Sequence, residues 1–252
     1  METAELFVLV GAAFASSILS GILGMAGGII LFSVMVLFFE PVAAIALHGL
    51  IQLVSNLSRT TIQRRYVEWR FTWRFGLLLL PMGFLGVQLA FALPPNASRV
   101  LIGFFILVAT WRPAWLMLGM HPAEIRPERR FVLLGGVVGF LGVLVGATGP
   151  LAAPFFLKLG LPRQGIVGTK AATQTLGHTS KTLIFGVAGF AFADYLGVLV
   201  LMGVAVIAGT WVGSQLLERV NERSFDRLYR GALTVVAVRL VLWDGWRLLG
   251  TA

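Results

Sequence analysis

The chain has 252 residues, 58% hydrophobic and only 12% charged, with a mean hydropathy of +0.88. Soluble domains are about 45–50% apolar and about 25% charged, so the composition excludes an ordinary soluble protein and implies an all-α integral membrane protein in a lipid bilayer. The net charge of +9 does not imply nucleic-acid binding, because the basic residues sit in short segments between apolar runs, where cytoplasmic loops collect Lys and Arg. With no cysteine there is no disulfide, thiol chemistry or Cys metal site. The three histidines, His48, His121 and His178, are too scattered to frame a metal site, and no cofactor is expected.

Ten apolar segments follow in order, as two sets of five: 5–24, 28–39, 42–61, 75–93 and 99–119, then 131–147, 150–159, 164–190, 195–217 and 229–249. All are read as helices, because only helices or closed barrels satisfy their backbone in lipid and these runs are too continuous for barrel strands. The first, with Glu2 and Glu5 and no basic residue before Arg59, is expected to be a retained helix rather than a signal peptide. Segments 28–39 and 150–159 reach only about 15–20 Å, short of the ~30 Å hydrocarbon core. They are half-helices, re-entrant legs or short spans, so the bundle has 8–10 membrane segments. Basic segments Arg59–Arg74, Arg112–Arg130 and Glu218–Arg230 are expected inside and both termini outside. Trp and Tyr cluster near predicted ends, at the headgroup level; Trp211 falls nearer a segment interior and is expected to pack.

The two sets carry one pattern. With Gly28 set against Gly149, Pro41 falls on Pro162, thirteen residues on in both, and polar residues follow each proline. Residues 1–120 and 121–252 are therefore read as two membrane repeats of a single transmembrane domain, and the loop charges make them inverted. Secondary transporters are commonly built this way, with substrate near the midplane between discontinuous helices. The residues Gly21, Gly24, Gly27, Gly28 and Pro41, then Gly139, Gly142, Gly146, Gly149, Pro154 and Pro162, resemble the sulfite exporter TauE/SafE family of membrane permeases over nearly the whole chain. That resemblance implies transport of sulfite, sulfonates or related small sulfur-containing anions, in a bacterial cell inner membrane. The first copy has no proline matching Pro154, and the second has Thr148-Gly149-Pro150 in place of a plain glycine run.

The candidate substrate-binding residues are Gly27, Gly28, Gln52, Asn56, Thr148, Gly149, Lys170, Thr173, Gln174 and His178. Gly27-Gly28 and Thr148-Gly149 each open a short helix, whose free N–H groups and partial positive charge can hold an anion; the same glycines could serve close helix packing. Lys170 lies about 10 Å and His178 about 22 Å along their helix from Arg163. Ionisable groups at that depth usually face a cavity or a partner, although Lys170 could snorkel inward and Lys181 outward. No acidic residue lies in that segment, which suits an anion path. Gln52, Ser55 and Asn56 add neutral donors. His48 is read as structural, and Arg239 as pairing with Asp244 five residues on or snorkelling to the interface.

The function this supports is a secondary transporter for a small anionic substrate, not an enzyme, with His178 as the group available for proton coupling. A passive anion channel would use the same residues. No Walker motif is present to couple ATP. Single cysteines introduced at Thr61, Ala123 and Asn221 should resist an impermeant thiol reagent in intact cells; rapid labelling of all three from outside would reverse the orientation.

Overall fold

The structure, a computed structural model, describes residues 3–23, 27–156, 158–215 and 222–250. Gly24 of the first glycine series, and Glu218, Arg219 and Asn221 of the third basic segment, lie outside the described residues, as do the side chains of Arg163, Arg223 and Arg227. Among the described residues every regular element is helical.

The first set forms α1 (Thr3–Leu23), α2 (Gly27–Phe38), α3 (Pro41–Ile62), α4 (Trp69–Gly76), α5 (Leu79–Ala92) and α6 (Pro95–Trp111). The second forms α7 (Pro127–Val145), a one-turn α8 (Gly149–Ala152) running into a 3-10 turn (Ala153–Phe156), α9 (Arg163–Val187), α10 (Leu196–Gln215), and α11 (Glu222–Arg239), which continues through a π turn (Leu240–Asp244) into α12 (Gly245–Gly250). Helices α3, α6 and α7 begin on a proline, and Pro162 caps α9; a first-turn proline has no N–H to lose and is already set at helical φ. Helices α1, α3 and α10 carry spans long and apolar enough to cross a membrane, and α4–α5, bent by 42°, reads as one broken span. The 25-residue α9 is long enough but is loaded with polar groups.

Four expectations need correction. Residues 59–74 are mostly helical rather than a loop: the W-R-F-T-W-R-F pattern of α4 buries Phe71, Thr72 and Phe75 on one face and leaves Trp69 and Trp73 exposed. The run expected to reach residue 119 stops at Trp111, because Pro113 pushes Arg112 out of the helical region, to φ −137°; 3-10 turns follow. Segment 150–159 forms one α turn, since Pro154 has no N–H to continue the helix and its ring crowds the carbonyl four residues back, at Pro150. Trp211, expected to pack, is 67% exposed in the last turns of α10, at a depth that suits an interfacial ring.

Which residues meet fixes the directions of the helices. A Cβ added at Gly209 or Gly213 of α10 would strike the carbonyls of Phe14 and Ile18 of α1 respectively, so these helices run parallel in close contact. The same test on Gly135 and Gly139 of α7 meets the backbones of Phe75 and Leu79, so α7 runs parallel to α4–α5. Helices α3 and α9 cross antiparallel at the centre: Gly168 lies on Gln63, Thr60 shares a hydrogen bond with Thr175 (3.1 Å), and Gly49 makes room for the stem of Lys181. Rings close the α4–α7 corner, with Phe71 stacked on Phe131 at 4.8 Å and Phe156 edge-on to Phe131 at 5.1 Å.

Two local devices shape the ends. At Val145-Gly146-Ala147 the Ala147 N–H donates to the Val145 carbonyl, with Gly146 at φ 77°, ψ −54°. This is the strained γ-turn that glycine alone adopts readily, and a Cβ at Gly146 would also enter the Phe32 ring. The π turn, with its i to i+5 bonding, brings Arg239 and Asp244 onto one face, and they pair at 3.1 Å as expected. Asp244, 1% exposed, also lies 3.8 Å from Arg99, which reaches Glu40 at 3.3 Å, so the charge network spans α6, the end of α11 with its π turn, and the α2–α3 turn.

Gly135→Ala should lower the thermal unfolding temperature in detergent, since overpacking costs roughly 1–3 kcal/mol. Gly203→Ala, where nothing lies within 4 Å, should be neutral or stabilising. Gly146→Ala should be more damaging than Gly135→Ala, as it adds backbone strain to the clash; equal unfolding temperatures for the wild type and Gly146→Ala would refute the γ-turn.

Candidate functional site

The polar groups of α3 and α9 are arranged by simple helical spacing. His48, Gln52, Asn56 and Arg59 follow at steps of four, four and three, and Lys170, Gln174 and His178 at steps of four, so each set lines one helix face. Gln52 and Gln174 both lie eleven residues into their helices, counted from Pro41 and Arg163, about 16 Å by helical rise and so near the middle of a ~30 Å hydrocarbon layer. The antiparallel crossing turns the two faces toward each other.

Between them lies a cavity of about 40 Å³, completed by Gly28 at the start of α2, by Thr148 and Gly149 at the second chain break, and by Ser20 of α1. Its volume is little more than one water's share of the liquid, about 30 Å³. Gln174 and His178 also border a second, smaller void toward Gly142, Ser180 and Lys181. The cavity therefore sits within a polar column that continues along α9.

The column is rich in donors and poor in acceptors. The Nε2–H of His48 donates to the Gly28 carbonyl at 2.8 Å, which fixes the end of α2 against α3. The His48 and His178 rings meet edge-on, 5.8 Å between centroids. Asn56 Nδ2 donates to the Gln52 carbonyl at 2.9 Å and approaches Gln52 Oε1 at 3.4 Å, holding the two amides as a unit. Lys181 Nζ donates to the Gly146 carbonyl, at the C-terminal end of α7 where cations are favoured; it neither snorkels nor joins the cavity. Lys170 Nζ, Arg59 Nη2 and Gln174 Nε2 are buried without a hydrogen-bond partner, and among the described residues no Asp or Glu lines the cavity. A buried donor left unpaired is costly, and a buried cation more so. An anion in the cavity would satisfy all three.

The sequence-derived residues divide accordingly. Gly28, Gln52, Asn56, Thr148, Gly149, Lys170, Gln174 and His178 line one cavity. Gly27 does not: it abuts Ser16 and Ser20 of α1, and any side chain there would collide with them, so its role is close packing. Thr173 is fully buried and its hydroxyl donates back to the Lys170 carbonyl at 2.9 Å, because three residues on from Lys170 it has rotated off the 170–174–178 line. The second break contributes Thr148 and Gly149 but not the helix start expected there, since α8 is a single turn. Sequence reasoning missed Ser20 and Arg59 and read His48 as structural, although all three border the cavity. Arg59 was grouped with the loop arginines; its spacing from Asn56 is the signal that places it on the polar face instead.

No curated protein and no solved structure matches the chain at a significant level. A family match extends over residues 9–240, nearly the whole length. With the helical architecture it makes the chain a membrane transporter rather than an enzyme: it belongs to the sulfite exporter TauE/SafE family.

Proposed function

We propose that the chain carries a small sulfur-containing anion, such as sulfite or an organosulfonate, across a bacterial inner membrane by alternating access around the α3–α9 cavity. The observation that carries this reading is Lys170, whose side-chain nitrogen is buried and unpaired in a cavity lined by amides, hydroxyls and the α2 helix start, with no carboxylate among the described lining residues. A desolvated anion needs N–H and O–H donors in place of its water, and the partial positive charge of a helix start favours it further. The small cavity favours a compact ion over an extended molecule.

Packing supports the inverted-repeat part of the reading. When the two sets of helices are exchanged, the parallel pair α1–α10 maps onto the parallel pair α7–α5, and the antiparallel α3–α9 pair maps onto itself. The edge-on His48–His178 pair, bordering the cavity, is the element this reading offers for proton coupling.

The test is flux of sulfite and sulfonates in proteoliposomes, with binding followed by ligand-dependent thermal stabilisation. Lys170→Ala should weaken anion binding by roughly 2–5 kcal/mol, the cost of truncating a buried charge partner, and Gly149→Leu should block flux while leaving a folded protein. Parental saturable flux in the double mutant would sink the site. Flux that never exceeds the imposed gradient under any ion gradient would make the protein a channel.

A further inference from the structure

We infer that Arg59 is a second cation of the binding cavity, and that Arg59 and Lys170 together select a doubly charged oxyanion over a singly charged one of the same shape. This rests on the anion-carrier reading and adds a charge requirement to it.

The first observation is where Arg59 lies. It belongs to the last turn of α3, three residues before Ile62, close enough to the helix end for its long side chain to reach the interface, as arginines near helix ends usually do. Its neighbours Arg64 and Arg65 are exposed. Arg59 is 7% exposed and borders the cavity instead.

The second is the contrast with other arginines: buried Arg130 donates to the Pro122 carbonyl at 3.0 Å, and others meet carboxylates. Arg99 has Glu40 and Asp244, Arg239 has Asp244, and Arg70 has Glu68. Arg59 is more buried than Arg70 or Arg239, yet faces no carboxylate; its Nη2 has no hydrogen-bond partner, and its like-charged neighbour is Lys170, also unpartnered. Two buried cations set against each other are costly, and negative charge brought by the occupant offsets that cost.

The third is chemical complementarity. A guanidinium offers a planar fork that takes two oxygens of an oxyanion at once, while an ammonium acts as a point charge on a third. Gln174 Nε2, the remaining unpaired donor of the cavity, can serve a further oxygen. A singly charged occupant would leave one buried positive charge uncompensated; a doubly charged one would leave none.

Sulfate and methanesulfonate test this directly, since both are compact tetrahedral sulfur compounds and differ by one charge. Dissociation constants for each would be measured on purified wild-type protein, on Arg59→Gln and on Arg59→Lys. Wild type should bind sulfate at least about tenfold more tightly, and Arg59→Gln should weaken sulfate by about ten- to a hundredfold but methanesulfonate by only about fivefold or less, collapsing the ratio. Arg59→Lys should keep the ratio while losing some affinity for both. A wild-type ratio near one overturns the inference even if no variant folds, and so does an unchanged ratio in folded Arg59→Gln; either leaves the anion carrier standing. Wild-type protein that binds neither these anions nor sulfite overturns the carrier reading and this inference together.

Discussion

Helices α3 and α9 carry most of the polar groups that this fold must keep out of lipid, and their antiparallel crossing is the contact on which the remainder is built. Gln52, Ser55, Asn56, Arg59 and Thr60 on one, and Thr169, Lys170, Thr173, His178, Ser180 and Lys181 on the other, are all buried. In hydrocarbon such groups have no water to turn to. Part of the demand is met locally: the Thr179 hydroxyl donates to the Thr175 carbonyl four residues back, and one of the Thr60 and Thr175 hydroxyls donates likewise to Asn56 or Ala171 while the other turns its proton across the crossing. Part is met across the crossing, by Thr60 with Thr175, and part by a neighbour, Ser55 with Thr210 of α10 at 3.4 Å. The apolar helices are sheaths around this pair, and for that reason they can present Leu, Val and Trp outward at high exposure. Other buried polar atoms, such as the Ser180 and Thr182 hydroxyls, stay unpaired elsewhere, but Lys170, Arg59 and Gln174 bring three unpaired donors to one cavity, and intramembrane groups of this kind ordinarily mark a substrate path.

The seams beside the crossing limit how the protein can move. On α10 and on α7, glycines four residues apart let backbones touch along a parallel interface, a form of contact that resists sliding because any shift brings Cβ atoms against carbonyls. Each seam joins a helix of residues 1–120 to a helix of residues 121–252. Rocking the first part of the chain as a block against the second would break both. Motion that preserves them keeps α1 with α10 and α4–α5 with α7, and opens the protein between these two groups, where α3 and α9 meet.

Much of this could be read from the sequence, and the reason lies in how prolines and glycines act. Pro41, Pro95, Pro127 and Pro162 mark helix starts because a proline costs nothing there, so the order of helices and both short segments are visible without coordinates. The ends were less visible. Trp111 ends α6 through a proline two residues later, in a run whose apolar composition resumes directly after Arg112-Pro113. The π turn at Leu240–Asp244 leaves no compositional mark, although the five-residue spacing of Arg239 and Asp244 is its trace. At the site, periodicity along α9 located Lys170, Gln174 and His178, yet placed Thr173 with them, since steps of three and four both count as neighbours and only contacts decide between them. Arg59 shows the limit of charge counting: one arginine among five in a basic stretch, it differs from the others only in its phase relative to Gln52 and Asn56. Ser20 had no signal at all, as its place depends on how α1 lies against α2.

The α1–α10 seam also bears on how the protein is made. Helix α1 leaves the ribosome well before α10, so the surface its backbone fits, on Gly209 and Gly213, is synthesised only after helices α2 to α9. Until then the carbonyl-bearing face of α1 at Phe14 and Ile18 rests against lipid or a temporary neighbour. Helix α7 meets no such delay, for α4 and α5 precede it. Assembly therefore has a direction: the α5–α7 side can close while translation continues, and the α1–α10 side must wait for α10. A nascent chain stalled between α9 and α10 would hold the polar α3–α9 pair with one flank sheathed and the other open, and that intermediate is the one a membrane quality-control protease or insertase would meet.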